Sequence, residues 1–107
     1  MAQITELTED NFDQTIASGV AIVDFWATWC GPCKILGALL ESQVAPVLGD
    51  DVKIGKVNIE EQSNLAVRFE VLSVPTIILF KDGEPVETFA GIQKPDFLIE
   101  KVKGLKG

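Results

Sequence analysis

The 107-residue chain has no histidine and no tyrosine, and only two cysteines. Without imidazole it lacks the general base of the histidine-dependent serine and cysteine hydrolases, and the commonest metal ligand. A closed structural zinc site takes four ligands, usually thiolates and imidazoles, and nothing in the sequence marks carboxylates to complete a pair of thiols. Basic residues are scarce. Nine oppose sixteen acidic ones, and the formal charge of −7 disfavours non-specific attachment to nucleic acid or an anionic membrane. No stretch approaches the roughly 18 uninterrupted apolar residues of a spanning helix. No basic segment followed by an apolar run opens the chain, so no secretory signal is read and the expected location is cytoplasmic. Internal repeats, linkers and low-complexity tracts are also lacking, and the length suits one hydrophobic core, so one domain over 1–107 is expected.

What is present alternates between strand and helix signals. Residues 3–7 suit a short edge strand. Thr8 followed by Glu9 and Asp10 predicts a helix start, with Phe12 and Ile16 on one face and Gly19 at its end. VAIVDFWA (20–27) is nearly continuous in apolar residues, as in a central strand covered on both faces. Ile35, Leu36, Leu39 and Leu40 repeat at helical spacing, and Pro46 should kink or divide that helix. VKIGKVNIE (52–60) reads as a buried strand with an irregularity near Gly55. A short helix over 62–69 and a strand over 76–80 follow. Asp82 and Gly83 signal a hairpin turn, and 85–90 returns. A last helix from Pro95 offers Phe97, Leu98, Val102 and Leu105 to the core. The order is β-α-β-α-β-α-β-β-α, with parallel crossovers first and an antiparallel hairpin last.

Both cysteines lie in WCGPC (29–33), at i,i+3. A structural disulfide closing so short a loop removes little chain entropy. An inert core pair is another reading. A redox pair fits best, because Cys30 follows a strand and opens a helix, where unpaired N–H groups and the helix dipole favour its thiolate. Cys33 lies one turn further in, placed to resolve a mixed disulfide formed at Cys30. Gly31 permits close approach, and Pro32 needs no donor in a first helical turn.

Asp24 interrupts an apolar strand. Either it is a buried carboxyl with a raised pKa, able to take the proton of Cys33, or the strand bends and lets it reach solvent or a backbone donor. Lys56 is either its charge partner from a neighbouring strand or a lysine whose head reaches water. Trp26 and Trp29 both suit a core, while an exposed Trp29 would offer partner proteins a contact surface.

DFWATWCGPC (24–33) resembles the active-site segment of the thioredoxin family, and NFDQTI, KVNIEE, VPTIILFKDGE and FAG fall around it in family order. The resemblance covers essentially the whole chain. It implies an α/β thioredoxin fold, a mixed five-stranded sheet of order 1-3-2-4-5 flanked by four helices. It implies a general protein-disulfide reductase carrying electrons on two sulfurs, with no bound cofactor and no metal. Cys30 would be the nucleophile, Cys33 the resolving thiol, and Asp24 the proton-transfer group beneath it with Lys56 nearby. The Val74–Pro75 bond would be cis and face the dithiol, the Val74 backbone pairing with an extended client segment. Trp29, Gly31, Pro32, Val74, Pro75 and Gly91 would line the docking surface, with Ile92 at its edge. The implied partners are client proteins with disulfides and a thioredoxin reductase, either an NADPH-dependent flavoprotein or a ferredoxin-dependent enzyme. Nucleic acid and membrane are not among them, and a monomer is expected.

The sequence departs from the family pattern in places. Ala38, preceded by Gly37, stands where many members have the proline that kinks the long helix. That kink is then weaker, carried by Gly37, or moved towards the C-terminus. Glu70 stands where a glycine is frequent, and Leu72 and Ser73 stand where a basic residue and glycine are frequent, making the docking surface more apolar. Two other classes compete. One is a binding or structural subunit, which would tolerate Cys30→Ser. The other is an oxidase or isomerase, which the Gly31, Pro32 pair argues against.

Overall fold

The computed structural model of the chain describes residues 1–106. Its elements are β1 (Ile4–Glu6), α1 (Phe12–Ile16), β2 (Val20–Trp26), α2 (Gly31–Leu39) running into a π turn (Leu40–Val44), β3 (Lys53–Asn58), α3 (Ser63–Arg68), β4 (Thr76–Lys81), β5 (Glu84–Ala90) and α4 (Pro95–Lys106). The five strands form one sheet in the order β1-β3-β2-β4-β5. β3 runs parallel to β1 and β2, and β4 runs antiparallel to β2 and β5. This is the thioredoxin fold that the resemblance implied.

β2 is apolar on both faces because helices cover both. Val20 and Ile22 join Ile54, Ile77 and Leu79 beneath Leu36, Leu40 and Val44, with Leu98 and Val102 of α4. The alternate residues, Ala21, Val23 and Phe25, pack with Val57, Ile78 and Phe80 against Phe12, Ile16 and Leu65. Side chains alternate along a strand, so this division fixes where Asp24 goes. It continues the row of Val20 and Ile22, on the face that α2 covers. Lys56 stands opposite Asp24 in the β2–β3 register and shares that face.

Three local expectations are corrected. The first helix begins at Phe12, not Thr8. The Thr8 hydroxyl accepts the Asp10 N–H, and the Asn11 side chain accepts the Thr8 N–H, which holds residues 8–11 in a turn. β3 passes Gly55 without a break in register. Glycine is needed there for space, because a Cβ would collide with the Leu7 side chain. Phe97 does not enter the core; it lies at the surface, edge-on to Phe89 with ring centroids 5.0 Å apart.

The irregularity of the long helix falls where one of the expected alternatives put it, towards the C-terminus and just ahead of Pro46. Gly37 lies within regular α-helix, and the ladder widens only at Leu40–Val44, where the Ala45 N–H reaches back to the Leu40 carbonyl at 2.8 Å. Pro46 is the reason. It has no N–H, and its ring would crowd the carbonyl four residues back, so a wider turn ahead of it relieves the conflict.

Candidate active site

Cys30 is the N-cap of α2, with extended backbone (φ −96°, ψ 109°), and its Sγ accepts the Cys33 N–H at 3.1 Å. The sulfur therefore occupies the place of a capping oxygen, facing donors that the helix leaves unpaired. Pro32 lies in the first turn, where its missing N–H is not needed. Cys33 heads the inward stripe that continues through Leu36, Leu40 and Val44. The two cysteines form a disulfide with Cα atoms 5.3 Å apart, and both are buried. Trp26, Ile59 and Val74 pack around them.

Before the dithiol, the loop is held from a distance. Glu60 Oε1 accepts the Thr28 N–H at 2.8 Å and the Thr28 hydroxyl at 2.7 Å, and these bonds hold the Glu60 carboxyl below its ordinary pKa. Trp29, one residue on, is 70% exposed beside Cys30. Across the site the Val74–Pro75 peptide is cis, and the Pro75 carbonyl accepts the Gly91 N–H at 2.8 Å. That bond ties the residues before β4 to the end of β5. Gly31 and Pro32 are exposed, Val74 and Gly91 half-buried, Pro75 buried, and Ile92 exposed at the rim. Leu72 is 96% exposed. A cavity of about 760 Å³ lined by Met1–Ile4, Glu41, Ala45 and Asp50 includes neither cysteine.

Asp24 has no exposed surface, and neither carboxyl oxygen has a hydrogen-bond partner among the described residues. β2 does not bend to release it, since it pairs with Lys56 on one side and Ile77 on the other. Burial pushes its pKa up to about 7, against the charge of Lys56, which lowers it. The Lys56 Nζ lies 5.0 Å from the centroid of the Trp26 ring, over its face. Both residues line an open groove of about 320 Å³ with Cys33, Lys34, Gly37, Ala38 and Glu41. The groove is thus lined both by Cys33 and by Lys56, the residue opposite Asp24 in the strand register. Neither the Glu60 clamp nor the seat of Lys56 on Trp26 was read from the sequence. Both join β2 or the loop after it to residues about thirty positions away, and only the register of β2 on β3 shows them.

A dithiol at a helix N-terminus, backed by a buried carboxyl, can exchange electrons with other disulfides. Known proteins agree. The thioredoxin family model matches residues 3–104. The thioredoxin of Staphylococcus saprophyticus is 46% identical over 100 residues, spanning 94% of this chain and 95% of that one. That of Staphylococcus haemolyticus is 47% identical over 97 residues, spanning 91% and 92%. Among solved structures, a Malassezia sympodialis thioredoxin superposes with a TM-score of 0.85 at 32% identity, covering 100% of this chain and 96% of that one. A mutant thioredoxin from Halobacterium salinarum gives 0.88 at 32% identity, covering 98% and 92%. The chain therefore belongs to the thioredoxin family, the thiol–disulfide oxidoreductases that work by dithiol–disulfide exchange at a Cys-X-X-Cys pair.

Proposed function

We propose that the chain, acting as one domain over 1–107, is a general protein-disulfide reductase with Cys30 as nucleophile and Cys33 as resolving thiol. The observation that carries this reading is the position of the Cys30 sulfur at the N-cap, accepting the Cys33 N–H at 3.1 Å. In the reduced protein the same donors and the helix dipole stabilise a Cys30 thiolate. That thiolate attacks one sulfur of a client disulfide. The client S–S bond breaks, the departing client thiolate takes a proton from water, and a mixed disulfide remains.

Cys33 then gives its proton to the Asp24 carboxylate and attacks the Cys30 sulfur. The bond from Cys30 to the client breaks, and the client leaves fully reduced. Two electrons have passed to it, and the Cys30–Cys33 disulfide is left. A carboxyl whose pKa stands near 7 is poised to accept and later release a proton around neutral pH. Lys56 supplies the opposing charge that keeps Asp24 ionisable.

Trp29, Gly31, Pro32, Val74, Pro75, Gly91 and Ile92 form the docking surface in this reading. Val74 takes part in no backbone hydrogen bond among the described residues, which leaves it able to pair with an extended client segment. The oxidised pair is returned to dithiol by a thioredoxin reductase, drawing on NADPH or ferredoxin. A reductant of this kind belongs in a compartment that keeps thiols reduced, and we assign it to the cytoplasm as a monomer that meets clients transiently.

Trapping tests the assignment of the two thiols. Cys33→Ser, mixed with a disulfide-bonded client, is expected to accumulate a covalent adduct that dithiothreitol releases. Cys30→Ser is expected to give neither adduct nor client reduction. Adduct formation by Cys30→Ser, or full client reduction by it, overturns the assignment.

A further inference from the structure

Gly37 is a glycine inside α2 where the backbone does not ask for one. Its φ is not positive, unlike those of Gly19, Gly83 and Gly91. In a helix interior, glycine is less favourable than alanine. Space explains it. A Cβ on Gly37 would lie 3.2 Å from Lys56 Nζ, and that ammonium also lies over the face of the Trp26 ring. A methyl group there would press on the lysine head, which would have to give by a few tenths of an ångström.

We propose that Gly37 is a positioning residue for the exchange: its missing side chain seats the Lys56 ammonium against α2 and over the Trp26 ring, so that its charge acts on the buried carboxyl of Asp24. This rests on the reading of Asp24 as the acceptor of the Cys33 proton. The charged groups on this side are few. Lys56 comes from β3, and Lys34 and Glu41 line the same groove from α2 and the turn that continues it. β4 presents Ile77 beside Asp24, and α4 contributes Leu98 and Val102. Displacing Lys56 weakens the attraction that opposes burial, so Asp24 should hold its proton to higher pH.

The experiment is a carbon-13 titration of the Asp24 carboxyl in the oxidised protein, its signal assigned by its loss in Asp24→Asn. Gly37→Ala is expected to raise the midpoint by a few tenths of a pH unit while making the protein more resistant to denaturant, since alanine favours the helix. Gly37→Ser should move the midpoint the same way. Lys56→Met should raise it further, and adding Gly37→Ala to Lys56→Met should change nothing more. An unmoved midpoint, or an equal shift with and without Lys56, overturns the proposal. The pH profile of client release from the mixed disulfide is measured alongside. A wild-type profile that tracks the Asp24 midpoint, with no shift in Gly37→Ala, overturns the role of Gly37 and leaves that of Asp24 standing. A titration that moves without the release profile following overturns the proton-transfer role of Asp24, and with it any part for Gly37 in the exchange.

Discussion

A carboxyl group sealed from water without a hydrogen bond resists ionisation, and Asp24 is in that position. Its folded pKa of about 7 lies above the ordinary value of 3.8. Between those two pH values the native state holds a proton that the unfolded chain has lost. Stability therefore falls as pH rises through that window and levels off above it. At about 1.4 kcal/mol for each tenfold step, the rise from 3.8 to about 7 costs at most ~4 kcal/mol above neutrality. Asp24→Asn is expected to abolish the slope and to be more stable than the wild type at about pH 8, while slowing client release. Urea unfolding at about pH 5 and about pH 8 measures this, and equal wild-type stability at both would contradict the charge burial. At this scale the sequence was most legible where a residue broke its surroundings. An aspartate inside VAIVDFWA and a thiol pair after a strand declare themselves. Gly37 does not, because a lone glycine in a helical pattern has no meaning until the lysine it accommodates is seen.

Elements show where local rules compete. α3 ends with the Val71 N–H reaching the Ala66 carbonyl at 2.9 Å and the Glu70 N–H reaching that of Val67 at 3.1 Å. This is a Schellman ending, in which the residue after the cap turns left-handed. Glu70 fills that place with φ 56°, although only glycine takes such a conformation without steric cost. Glu70→Gly is expected to raise unfolding stability by about 0.5–1 kcal/mol, and Glu70→Ala is not. The denaturation midpoints of the two variants decide it; a gain from alanine equal to that from glycine would remove the backbone explanation. Such endings are hard to foresee when the usual glycine is missing. The same holds for α2. Pro46 announced a disturbance, but its position depended on how the chain could spread one missing hydrogen bond over the preceding turn. Thr8 misled because its hydroxyl serves a tight turn as readily as a helix cap.

The whole molecule was the most legible level, because its element order follows from alternating segments, crossover rules and one hairpin signal, and its strand order from the resemblance to the thioredoxin family. Asp82 and Gly83 lie at φ 50° and 86°, the positive pair that a tight two-residue hairpin needs. What the sequence could not supply was register, and register is what places Lys56 beside Asp24. The chain has two tryptophans and no tyrosine. Trp26 packs against the dithiol cluster, and Trp29 is adjacent to Cys30 in sequence. Nearly all near-ultraviolet emission therefore arises within reach of the two sulfurs, and a disulfide accepts an electron from an excited indole where a dithiol does not. Emission is expected to rise when the pair is reduced, and to report its state without any label. Trp26→Phe and Trp29→Phe would divide the signal between the rings, and emission indifferent to reduction would show that neither indole is coupled to the pair.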